Sequence, residues 1–289
     1  MTPIRYSAAA CQTDLANPVD RPAMKLNTDR MVALIDAAVA GAAPFLPVRL
    51  IVFPEFAHAA PVYATPQELL DKLAVPVPNE HTERLAGKAR EHDIFIQSGT
   101  LLEADQRWPG VVFNTTCLIG PGGVLSKYRK VNPWIPYEVH ASPHDLDGYD
   151  EPLFPVVDTP IGRIGCAICY DWLFPEATRQ LAANGAEVLI RVSAYMDPWG
   201  ATEPMDWWTI VNRCRALENT VFVAASNVAA PDQGSITGII APEGTLVASL
   251  DYGVVGVVAA DIDLGRADRR LALRWAPERN APATVPVRP

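Results

Sequence analysis

Residues 163–176, Arg-Ile-Gly-Cys-Ala-Ile-Cys-Tyr-Asp-Trp-Leu-Phe-Pro-Glu, most limit the folds open to this chain. The first six form a glycine-punctuated apolar run that reads as a buried strand. Pro175 opens a helix-like run, Pro-Glu-Ala-Thr-Arg-Gln-Leu-Ala-Ala, which Asn184-Gly185 closes. Cys169 therefore falls on the turn between strand and helix. A side chain there projects out of a sheet beside free backbone N–H groups, where enzymes place a nucleophile whose reaction develops an oxyanion. The plainer reading is packing, since free cysteine behaves as a small, buried hydrophobe.

The rest of the chain continues the alternation. Strands are expected at 5–11, 49–53, 94–101, 112–119, 124–128, 187–192, 221–226, 236–240, 246–250 and 254–262. Helices are expected at 28–43, 80–92 and 204–218, with Met31, Leu34, Ile35 and Ala38 on one face of the first. Leu85, Ala86 and Ala89 share a face of the second, and Trp207, Trp208, Val211 and Leu217 are packing positions of the third. Alternating β and α followed by hairpins predict a mixed sheet covered by helices, an α/β layering. Residues 137–155 read as a long loop of the functional kind. No composition break divides the chain, so one domain is expected over 1–279, with a proline-rich tail at 280–289.

The balance of 24 Lys+Arg against 33 Asp+Glu, a net charge of −9 without a basic stripe, argues against nucleic acid and anionic membrane partners. No apolar run approaches the ~20 residues of a membrane span, and the first seven residues lack the features of a signal peptide. A soluble, cytoplasmic protein is expected. Five cysteines, an odd number spread along the chain, do not suggest a disulfide framework.

Three reactive sets compete. His140, His144, Cys166 and Cys169 meet a zinc-site count, but in inverted order, and strand residues three apart face opposite ways, so no metal is expected. Cys166-Ala-Ile-Cys169 resembles a dithiol motif, yet such motifs set the first cysteine at the helix N-terminus, whereas here the helix starts about six residues after the second. The third set is Glu55, Lys130 and Cys169, each near the end of a separate strand. Glu55 would ordinarily be a solvated turn residue, and the run Lys127-Tyr-Arg-Lys130 a solvated face. In an extended chain, however, Lys127 and Arg129 point one way while Tyr128 and Lys130 point the other. A buried carboxylate can take a thiol proton, and a fixed ammonium can stabilise thiolate and oxyanion, so the trio is chemically self-sufficient.

Phe-Pro-Glu55, Lys-Tyr-Arg-Lys130 and Cys169-Tyr-Asp-Trp-Leu-Phe-Pro-Glu176, in that order, resemble the three signature regions of the nitrilase, or carbon–nitrogen hydrolase, superfamily. The resemblance runs from the first strand to about Ile262. It implies an α-β-β-α sandwich, a homodimer or higher homo-oligomer, no metal or organic cofactor, and Glu55, Lys130 and Cys169 as the catalytic triad. Tyr-Arg-Lys130-Val-Asn-Pro-Trp134-Ile-Pro-Tyr-Glu138 and Arg191-Val-Ser-Ala-Tyr195-Met-Asp-Pro198 resemble segments of the aliphatic amidase and formamidase branch. That likeness implies an amidase acting on a small carboxylic amide through a cysteine thioester. It also implies that Glu138 positions substrate, that the Tyr170 backbone N–H helps hold the oxyanion, and that Phe56, Trp134, Tyr195 and Trp199 wall the pocket. Phe56 stands where that branch is expected to carry tyrosine. An N-carbamoyl-amine hydrolase or a nitrilase would use the same triad, and a Cys166–Cys169 dithiol protein is the reading from another class.

Overall fold

The structure is a computed structural model that describes residues 4–14, 16–42, 46–135, 137–195, 206–230 and 234–280. In chain order its elements are β1 (Arg5–Gln12), α1 (Lys25–Gly41), β2 (Val48–Val52), α2 (Pro66–Lys72), α3 (Glu80–His92), β3 (Phe95–Ala104), β4 (Val112–Gly120) and β5 (Gly123–Arg129). There follow β6 (Val156–Thr159), β7 (Gly162–Ile168), α4 (Pro175–Ala183), β8 (Val188–Ser193), α5 (Trp207–Asn219), β9 (Phe222–Asn227), β10 (Thr237–Ile240), β11 (Leu246–Leu250), β12 (Gly256–Asp263) and α6 (Pro277–Asn280). No described helix is long and apolar enough to cross a membrane.

The strands form two six-stranded sheets, ordered β12-β1-β2-β3-β4-β5 and β6-β7-β8-β9-β10-β11. Each sheet runs through the same sequence of pairings: one antiparallel, two parallel, then two antiparallel. Period-two alternation explains why the sheets stack. On β1, Tyr6, Ala8 and Ala10 join the core shared with Val223, Ile239 and Ile262. Ala9 and Cys11 point the other way, onto Met31 and Ile35 of α1 and Leu85 and Ala89 of α3. Helices α4 and α5 supply Leu181, Trp208 and Ala216 against the second sheet. The α-β-β-α layering implied by the family resemblance is the architecture observed, with two sheets where the alternation of elements alone predicts one mixed sheet.

Two elements had little signal in the sequence. Helix α2 buries only Leu69, so it lacks an apolar stripe; Pro66 in its first turn and the Thr65 hydroxyl accepting from Glu68 N–H start it instead. Strand β6 is a short, half-exposed edge, and the expected loop over 137–155 otherwise stands apart from a 3-10 turn at Pro143–Asp145. The helix expected from 204 is described from Trp207, and 196–205 and 281–289 lie outside the described residues. Leu217 does not pack: it is exposed with Ile210 and Cys214, on the outer face of α5.

Candidate active site

The first strand end to reach the site is that of β2. Beyond it the chain turns over β3: Phe53 N–H donates to Gln97 O (3.1 Å), Phe56 N–H to Thr100 Oγ1 (2.8 Å) and His58 N–H to Thr100 O (3.2 Å). This close approach requires Gly99, which has φ +69° and where a Cβ would lie 2.3 Å from the Pro54 carbonyl oxygen. Glu55 is thereby driven inward and is 1% exposed, so it is not the solvated turn residue its position allows.

Lys130 follows β5, and the strand's alternation separates the basic run into two roles. Lys127 Nζ and Arg129 Nη2 meet Glu103 Oε1 at 2.8 and 2.7 Å. Arg129 is buried, which corrects the solvated-face reading: Glu103 and Asp105 supply the opposing charge inside the fold. On the other side, Tyr128 OH donates to Asp171 Oδ2 (2.7 Å), while Lys130 Nζ donates to Glu55 Oε1 (2.9 Å) and Glu138 Oε1 (2.8 Å). Glu138 Oε2 accepts from Trp134 N–H and lies 3.5 Å from His140 Nε2.

Cys169 opens a 3-10 turn, Cys169–Leu173, inserted between β7 and α4. Its φ of +44° is left-handed, a conformation that costs a non-glycine residue energy and persists where surroundings enforce it. Asp171 supplies that enforcement, accepting from Ile168 N–H (2.9 Å), Asn132 N–H (2.8 Å), Asn132 Nδ2 (2.9 Å) and the Tyr128 hydroxyl. The same carboxylate thus ties the Cys169 turn to the segment that carries Lys130. Cys166 lines a separate niche with Gln97 and Tyr128, and both thiols are free. His140 is buried against Glu138 whereas His144 is mostly exposed; among the described residues these two and the cysteines form no converging set of metal-ligand atoms.

Glu55, Lys130, Glu138 and Cys169 line one cavity of about 610 Å³. Phe56, Trp134 and Tyr195, expected as pocket walls, line it too, as does Tyr170, expected at the oxyanion; Trp199 lies outside the described residues. Burial pushes the Glu55 carboxyl up, against the pull of Lys130. It also pushes the Cys169 thiol up, with Glu55 adding to the effect. Lys130 is held charged despite burial, because Glu55 and Glu138 flank it. Burial disfavours the Glu138 anion, yet Lys130 and His140 bring its pKa below the usual value. The arrangement combines an acid–base carboxyl, a fixed cation and a thiol on a strained turn.

Sequence reasoning missed several supports. Asn114 Nδ2 donates to Glu55 Oε1 and Ala194 N–H to Glu55 Oε2, each at 2.9 Å. The buried Arg191 guanidinium lies 4.0 Å over the Trp208 ring, which faces Tyr195 edge-on at 4.8 Å. Burial lowers Arg191 to about 10. Asp171, inside the cysteine motif, and Arg191 and Ala194, inside the 191–198 segment, had a signal in the sequence; Asn114 had none.

The sequence profile described as carbon–nitrogen hydrolase matches residues 7–270. A formamidase of Bacillus thuringiensis (strain Al Hakam) is 32% identical over 189 residues, 64% of this chain and 52% of its own, so the chain spans about half the length of the curated relatives it matches. Saccharomyces cerevisiae Nit3, a member of branch 10 of the nitrilase superfamily, superposes with TM-score 0.75 at 23% identity, covering 98% of this chain and 96% of its own. A mutant of the Nesterenkonia AN1 amidase from the nitrilase superfamily superposes with TM-score 0.73 at 23% identity, covering 95% of each chain. In another mutant of the Nesterenkonia amidase, the acetamide moiety of fluoroacetamide is added covalently at the active-site cysteine.

Proposed function

We propose that this chain, which belongs to the carbon–nitrogen hydrolase family, hydrolyses a carboxylic amide of low molecular weight to the acid and ammonia through a thioester on Cys169. The observation that carries the reading is the cavity in which Cys169 meets Glu55 and Glu138, with Lys130 bonded to both carboxylates. The formamidase and amidase relatives support an amide over a nitrile or an N-carbamoyl compound.

In the resting site the thiol keeps its proton. As Sγ attacks the amide carbon, that proton passes to Glu55, so no free thiolate stands in an apolar environment. The carbonyl electrons move to oxygen, where the Lys130 ammonium and the Tyr170 backbone N–H hold the oxyanion. Collapse breaks the C–N bond, Glu55 returns its proton to nitrogen, and ammonia leaves a thioester. Water then attacks while Glu55 accepts its proton; the C–S bond breaks, and the acid and the thiol are restored. Glu138 orients Lys130 and the substrate amide. The sequence draws on no metal or organic cofactor. Assembly into a homodimer or larger homo-oligomer belongs to the same proposal, supported by the exposed Ile210, Cys214 and Leu217 at helical spacing on α5.

Ammonia release from matched amides, nitriles and N-carbamoyl compounds, with wild type beside Cys169→Ala and Cys166→Ser, tests this. Release from amides that disappears only in Cys169→Ala is expected, with an acyl mass adduct on Cys169 after rapid quenching. Release confined to nitriles or N-carbamoyl compounds would replace the amide; release that survives Cys169→Ala would remove the nucleophile.

A further inference from the structure

The cavity is far larger than the reacting group requires. At about 610 Å³ it lies within the range, roughly 300–1,000 Å³, of pockets that enclose drug-sized ligands. Formamide has three heavy atoms and acetamide four, so either would leave most of the space to water lying against apolar walls. Water on apolar walls is the unfavourable state that binding an apolar group relieves.

The walls are aromatic and their rings pack in pairs. Trp134 and Tyr137 pack with ring centroids 4.5 Å apart on one loop. Tyr195 and Trp208 form an edge-to-face pair at 4.8 Å, and the Trp208 ring is backed at 4.0 Å by Arg191, which is fully buried and donates to Ser235 Oγ. A cation fixed behind an indole immobilises it, and immobile rings lower the entropy cost of binding a flat partner. The polar groups gather around Cys169, so a bound amide has its carbonyl among Lys130 and the carboxylates and its acyl substituent among the rings.

We propose that the acyl group is aromatic, an arylacetyl or aroyl unit, so that the substrate is an aromatic carboxamide rather than formamide or a short aliphatic amide. This rests on the amide hydrolysis proposed above. Initial rates with phenylacetamide, benzamide, acetamide and formamide test it, alongside phenylacetonitrile and N-carbamoyl-benzylamine. A kcat/KM for phenylacetamide or benzamide at least about tenfold above acetamide is expected, since one methylene in an apolar pocket already gives about 10-fold or more. In Trp134→Ala, which keeps the backbone N–H bonded to Glu138, the ratio of phenylacetamide to acetamide kcat/KM should fall about tenfold through a higher KM.

A kcat/KM for acetamide or formamide equal to or above both aromatic amides overturns the aromatic class and leaves the amide reading intact. Turnover of phenylacetonitrile or N-carbamoyl-benzylamine without any amide overturns the amide reading and keeps the aromatic class. If none of the compounds turns over, protection of Cys169 from iodoacetamide decides: phenylacetate protecting at lower concentration than acetate supports the aromatic class, and equal protection overturns it.

Discussion

Asp171 accepts four hydrogen bonds, and all four partners are donors. A carboxylate has lone pairs for each, whereas an amide would turn its own N–H groups toward two of them. Asp171→Asn should therefore cost about 2–4 kcal/mol of stability and lower kcat more than it raises KM, because the Cys169 turn and the Lys130 segment lose their common anchor. Thermal unfolding and steady-state kinetics check this; wild-type values in both would show the anchor to be dispensable. Glu55, Lys130 and Cys169 stood out in the sequence because each lies at or near a strand end and sits in a recognisable motif. Asn114 did not: it is one of three adjacent polar residues, with Thr115 and Thr116, in a wholly buried strand, and its use depends on which loop folds over it; Arg191 lies in a quoted segment, but its place over Trp208 depends on where α5 packs.

At the scale of elements, the turn carrying Glu55 is held by β3 as much as by its own residues. Gly99 has φ +69° and a Cβ on it would run into the Pro54 carbonyl, so Gly99→Ala adds both backbone strain and a clash that the turn must move to relieve. We expect a loss of at least about 1–3 kcal/mol and a fall in kcat as Glu55 leaves the place where Lys130 and Ala194 N–H meet it. A melting curve and ammonia-release assay on that variant, both unchanged, would show that β3 does not set the carboxylate. Most elements were readable from periodicity, α3 to the residue. Leu217 fits the apolar spacing of α5, yet spacing alone does not say which of a helix's two flanks meets the sheet. Helix α2 and strand β6 escaped because one buried leucine and a four-residue strand with no buried position leave no period to detect.

For the molecule as a whole, the two sheets repeat one order of pairings without any repeat evident in the sequence, since the interior sets only an apolar pattern and many side chains satisfy it. The layered core also buries titratable groups. Burial, with His81 adding, lowers His58 to about 3, and burial lowers His140 to about 4 against the pull of Glu138. Unfolded histidine takes its proton near pH 6.5, so below that pH the unfolded chain binds more protons than the folded one and stability falls as pH drops toward 4. The melting temperature should decline over this window, with a shallower slope in His58→Gln; a melting temperature that rises on acidification would contradict it.

Cys214 stands apart from the other sulfurs: of the five cysteines, all among the described residues, it alone is exposed. It lies on the outer flank of α5, while Trp208 on the same helix faces the cavity. With Cys169 changed to alanine, Cys214 is a ready-made address for maleimide chemistry, and the rate of its labelling would report on whether a second copy covers that flank. Conversely, any count of reactive thiols begins with a sulfur that has no part in the chemistry, so titration of the cavity calls for a chain in which position 214 carries serine.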